Sequence, residues 1–210
     1  MTISSLFKAV FRVNRWPFYI SDIYIKTVQQ YIWKMKKFSI GKNTTWLGFP
    51  IISNTTGGSV EVGSGCLICS RSNDTALGVS HRTILRTLSS GAKIRIGNNV
   101  RMSGTTICAA TSIKIGNRCV IGADVIIADT DFHSLDPVSR SSDEDAINAI
   151  SKPVEIGNDV FIGGRSIILK GVTLGDKVIV GAGSIVTKSF TEGSIIAGNP
   201  ALEIGNIIKS

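Results

Sequence analysis

The chain has 210 residues, 43% of them hydrophobic and 18% charged, with a formal net charge of +8. That length can bury a sizeable core in one large or two small domains, and five prolines without a low-complexity tract exclude long disordered linkers. No run of 18 apolar residues marks a spanning helix and no secretory leader pattern is evident, so a cytoplasmic protein is expected.

Residues 1–40 form a unit of their own composition. Lys8, Arg12, Arg15, Lys26, Lys34, Lys36 and Lys37 stand against the single acid Asp22, and nine of the fourteen aromatics lie here. Phe7, Val10 and Phe11, then Tyr24, Val28, Tyr31 and Ile32, follow helical spacing, with Pro17 between the two runs. The segment is expected to be α-helical and to cover the end of the domain that follows. A second reading makes it a basic amphipathic surface on the inner membrane face or on a membrane-bound partner. No recognition motif accompanies the charge, so nucleic acid is not an expected partner.

From residue 41 to residue 187 a different period takes over. An aliphatic residue returns every six places at Ile156, Ile162, Ile168, Leu174, Val180 and Val186, with glycine after it at Gly157, Gly163, Gly175 and Gly181. The same register runs back through Ile127, Ile121 and Ile115. With one extra residue near Thr111 it continues to Cys108, Met102 and Ile96. A helix repeats near 3.6 and a lone strand near two. Six is one short strand plus a turn, and three such sides close a coil that buries its aliphatic face on the next. The period lapses between Cys69 and Ile94, where "HRTILRTLSSGAKI" still promises strands, and again over 134–153. That second gap is long for a structureless connection and is a functional suspect. Residues 188–210 read as a tail.

Cys66 and Cys69 form a CxxC without a second ligand pair. All four cysteines, Cys108 at an inward position and Cys119 at a small one included, are expected to be free packing residues. No metal site is expected.

The hexads, "DTDFHSLDPVSR", "DVFIGGRSIILKGVTLGDKVIVGAGSIVTK" and "AGNPA" together resemble the hexapeptide-repeat acyltransferases over roughly residues 60–201. Within these they look like the bacterial O-acetyltransferases that modify capsule and lipopolysaccharide sugars. The resemblance implies a mainly β fold, a left-handed parallel β-helix. It also implies a homotrimer, acetyl-CoA bound between subunits, and a carbohydrate acceptor.

Acetyl transfer to a hydroxyl needs a base. Of the two histidines, His133 matches the base of the resembled family. By count it would point into the shaft, so the coil is expected to open there. Asp129, Asp131 and Asp136 are candidates to hold its other ring nitrogen. The resemblance implies the Gly164 N–H as oxyanion donor, and Ala182, Thr187 and Lys188 along the cofactor arm and phosphates. His81, Arg82 and Arg101 are candidate acceptor contacts. The acidic run 143–145 reads as solvated loop or as part of the acceptor site.

There are departures from the family pattern. Phe161 replaces a frequent tryptophan, Leu202 and Gly205 stand where some members carry nucleotide-binding arginines, and no acceptor-positioning asparagine appears near 103–105. The last departure argues against a small galactoside. N-acetylation of a nucleotide-linked amino sugar is the alternative enzyme reading, and a catalytically silent scaffold the non-enzymatic one. A zinc hydratase on this fold needs three histidine ligands, which two histidines do not supply.

Overall fold

The computed structural model describes residues 23–24, 38–54 and 57–208. Most of the expected helical segment, and with it the membrane reading, lies outside the described residues. Tyr24 does reach the body of the protein, its ring 5.9 Å from that of Phe49.

The chain winds through six coils of three strands each. They are β1 (Phe38–Ile40), β2 (Thr45–Leu47) and β3 (Ile51–Asn54); β4 (Ser59–Val62), β5 (Leu67–Cys69) and β6 (Ile84–Thr87); β7 (Lys93–Ile96), β8 (Arg101–Ser103) and β9 (Thr106–Ala109). Then follow β10 (Ser112–Ile115), β11 (Val120–Ala123) and β12 (Ile126–Ala128); β13 (Val154–Ile156), β14 (Phe161–Ile162) and β15 (Ile167–Ile168); β16 (Thr173–Leu174), β17 (Ile179–Val180) and β18 (Ile185–Val186). Each strand pairs with the same side of the next coil, giving three parallel sheets. The fold is a left-handed parallel β-helix, against the usual right-handed crossover.

The shaft starts three residues before the expected boundary, at Phe38, which pairs with Val60. It also outlasts residue 187. β19 (Ser194–Gly198) adds in parallel to β17, and β20 (Ala201–Asn206) turns back antiparallel on β19.

The six-residue period is a burial pattern. Ile115, Ile121, Ile127, Ile156, Ile162, Ile168, Leu174, Val180 and Val186 are all at most 2% exposed. Each inward aliphatic removed from water contributes about 1.5–3 kcal/mol, and its copies one coil away make the stacking self-templating. One inward assignment fails. Ile107, not Cys108, fills the shaft at β9, while Cys108 pairs with Ala128 on the outer face of the third sheet. The coil is a residue short at the corner after Met102, where the register between β8 and β11 shifts, and makes this up at the long corner around Thr111, so that Ile107 and Ile115 are the next inward residues. All four cysteines are free and buried.

Each coil has three corners, here called first (from first sheet to second), second (second to third) and third (third sheet to the next coil). The first is a polar ladder: Asn98, Asn117, Asn158 and Asp176 each accept a backbone N–H from the coil before. Both long excursions leave from the other two corners. Residues 70–83 leave the second corner of the second coil, and residues 129–153 the third corner of the fourth.

Candidate active site

At the third corner of the fourth coil the chain is locked by Asp129. Its carboxylate is fully buried and accepts the N–H groups of Ala110, Thr111 and Ser112 and the Thr111 hydroxyl at 2.6–2.7 Å. It therefore tethers the third coil to the fourth and is not turned toward His133. The excursion closes on itself by the antiparallel bridge Thr130↔Ser151 and the bonds Asp131 N–H to Ile150 O and Lys152 N–H to Asp129 O.

Phe132 takes φ +64°, a left-handed conformation unusual for an aromatic residue. It turns the chain so that His133 leaves the inward register, and the His133 side chain is 68% exposed. The coil does open there. His133 Nδ1 lies 2.6 Å from Asp145 Oδ2, and the other oxygen of Asp145 accepts the Ser134 N–H at 2.7 Å. The His133 partner is thus Asp145, from the acidic run that reads as solvated loop or as part of the acceptor site. Asp131, expected in that role, accepts from Lys170 Nζ at 2.6 Å instead. Asp136 caps the short helix α1 (Pro137–Arg140) by accepting the Ser139 N–H. The sequence hid Asp145 because it lies twelve residues from His133, across a loop with no period. Its one signal was an acidic run inside an excursion that begins at a histidine.

Asp145 is held below the usual carboxylate range, first by its bond to His133 and then by the Ser134 N–H. With Nδ1 donating to that carboxylate, Nε2 is left as the acceptor on an exposed ring.

The second corner carries the other half of the predicted site. Gly164 sits on the fifth coil directly above Ala123; a Cβ at Gly164 would lie 3.1 Å from the Ala123 carbonyl oxygen. Gly163 and Arg165 donate to Val180 O and Ala123 O, and Gly183 N–H donates to Gly164 O. No hydrogen bond from the Gly164 N–H occurs among the described residues. Ala182 follows one coil on, and the two line a depression of about 270 Å³ with Leu77, Gly78, Ala123, Asp124 and Arg165.

The remaining predicted residues divide between faces. Thr187 and Lys188 are exposed on the third corner of the sixth coil, on the His133 side, with Lys188 Nζ 5.6 Å from the Phe190 ring centre. Arg101 projects from the second sheet, and His81 and Arg82 lie where the 70–83 excursion rejoins the second corner, His81 Nδ1 3.0 Å from the Arg82 carbonyl. Within one chain the site is therefore split. His133, Thr187 and Lys188 lie on one edge of the third sheet, Gly164 and Ala182 on the other. The three residues of β12 separate the two edges by about 10 Å at roughly 3.3 Å per residue.

Comparison with known proteins bears on this geometry. Residues 153–188 match the hexapeptide repeat of succinyl-transferase. These residues carry the hexapeptide repeat. A Dictyostelium discoideum protein named as an acetyltransferase is 39% identical to this chain over 118 residues, 56% of the chain. The match spans 60% of that relative's length. A hexapeptide-repeat acetyltransferase of Vibrio cholerae, solved with acetyl coenzyme A, has TM-score 0.53 at 21% identity, covering 95% of this chain and 90% of its own. AntD of Bacillus cereus, an N-acyltransferase solved with dTDP-4-amino-4,6-dideoxyglucose and coenzyme A, has TM-score 0.59 at 22% identity. It covers 85% of this chain and 88% of its own. At these identities the two structures establish the shared fold.

Proposed function

We propose that this chain is an acyl-CoA-dependent acyltransferase that moves an acetyl group to a hydroxyl of a cell-surface polysaccharide, capsule or O-antigen, or of its precursor. The observation that carries the reading is an exposed histidine whose Nδ1 is bound to a carboxylate, on a fold whose corner offers an unpaired glycine N–H. His133 Nε2 takes the proton of the acceptor hydroxyl as its oxygen attacks the thioester carbonyl. Asp145 keeps the ring in the tautomer that permits this and steadies the imidazolium that forms. The Gly164 N–H meets the developing oxyanion, and the imidazolium then protonates the departing thiolate.

The two halves belong to neighbouring copies. Along the outer face of the third sheet runs the column Ile84, Thr106, Ile126, Ile167 and Ile185, matched strand to strand and half-buried. Three such faces turned toward a common three-fold axis bring the His133 edge of one copy against the Gly164 edge of the next. This supports a homotrimer with acetyl-CoA in the groove between copies, its arm passing Ala182 on one wall and Thr187 and Lys188 on the other. Lys188 is suited to a phosphate as a point charge.

A second reading keeps the site and changes the acceptor to the amino group of a nucleotide-linked sugar, favoured by the fold's likeness to AntD. Thiol release from acetyl-CoA, followed over a panel of hydroxyl and amino acceptors, tests both. Release that requires a polysaccharide hydroxyl supports the first and release that requires an amino sugar the second. Release unchanged in His133→Ala contradicts the shared mechanism.

A further inference from the structure

The excursion 70–83 is fastened to a coil it does not belong to. It leaves the second coil, and the Ser80 N–H bonds both carboxylate oxygens of Asp124 on the fourth, at 2.9 and 3.2 Å. Between them stands Gly104, at φ +55°, where a Cβ would lie 2.7 Å from Asp124 Oδ1 and 2.8 Å from Val79 Cβ. Only glycine fits this crossing. Arg71 and Asp74 brace the start of the excursion through a 2.5 Å ion pair whose side chains are 15% and 6% exposed.

This fastening brings Leu77 and Gly78 into the depression of about 270 Å³ that Gly164 and Ala182 line. The order along the corner is fixed by stacking: Ala182 on the sixth coil, Gly164 on the fifth, Ala123 and Asp124 on the fourth, then Leu77 and Gly78. Leu77 is 84% exposed, a large apolar side chain that its own chain leaves uncovered. A thioester with its carbonyl oxygen on the Gly164 N–H and its arm leading toward Ala182 sends its acyl carbons the other way, over Ala123. They then meet Leu77.

We propose that Leu77 and Gly78 form the end wall of the acyl pocket and restrict the donor to short acyl groups. Leu77 is the specificity-determining residue. The inference rests on the acyl-CoA reading above.

The test is calorimetric titration of the full chain and of Leu77→Ala with acetyl-CoA, butyryl-CoA, hexanoyl-CoA and free coenzyme A, without an acceptor. One methylene in a pocket is worth about 10-fold or more. The wild type is therefore expected to bind acetyl-CoA at least about 10-fold more tightly than butyryl-CoA, and Leu77→Ala to narrow that gap below about 3-fold. Equal binding of the two thioesters by the wild type overturns the proposal, as does a ratio that Leu77→Ala leaves unchanged. In both cases the acyl-CoA reading stands. Absence of binding to every coenzyme A species by the wild type overturns that reading and the wall together.

Discussion

The Asp145 carboxylate makes two bonds into the root of its own loop, to His133 Nδ1 and to the Ser134 N–H, so one residue sets both the tautomer of the ring and the fold of residues 134–153. Two losses are expected from removing parts of this pair. His133→Ala should cut acceptor-dependent thiol release by about 10²–10⁴-fold. Asp145→Asn keeps the shape but favours the wrong tautomer, and should cost about 10²-fold or more in kcat. The pair also carries a pH signature. Asp145 is held below its ordinary value of 3.8, so its contribution to holding the loop is complete above that value. It is lost as pH falls from there through the lowered folded value. Limited proteolysis should therefore begin to cut within 134–153 below about pH 3.8, and Asp145→Ala, which removes both bonds, should be cut there already at neutral pH. Equal resistance of wild type and variant at neutral pH would contradict the anchoring role.

For single elements, stability lies in the shaft and in the ties between coils. Ile127 is fully buried at the centre of the third sheet, and Ile127→Ala should cost about 2–5 kcal/mol in urea unfolding. Asp129→Ala strips the partner from three backbone N–H groups and one hydroxyl, and should cost on the order of 3 kcal/mol or more by the same measurement. The shaft was legible in the sequence because each inward aliphatic meets its own counterpart one coil away, so the period in the chain is the period in space. Legibility ended where the period did. Cys108 was placed inward because a corner lost a residue after Met102 and the count slipped by one. Asp145 and the Asp124 tie to Ser80 were hidden for a further reason. Their partners are 12 and 44 residues away, across segments whose path no repeat dictates. His133 and Gly164 carried motifs, but motifs do not say on which corner of a triangle each will fall.

In the whole molecule, that division between corners is the main finding. The triangular shaft keeps His133, the proposed base, and Gly164, the proposed oxyanion donor, on opposite edges of one sheet and does not bring them together within a chain. A rotational assembly through the isoleucine face does, as every edge then meets its opposite in a heterologous contact that closes into a ring. The measurement that tests this most directly is subunit complementation, in which His133→Ala and Gly164→Leu chains are unfolded together, refolded as a mixture and assayed for thiol release. Each variant alone should be inactive. The one-to-one mixture should recover about a quarter of wild-type activity, because one interface in four then pairs an intact histidine edge with an intact glycine edge. A mixture as inactive as its parents would contradict a site shared between copies.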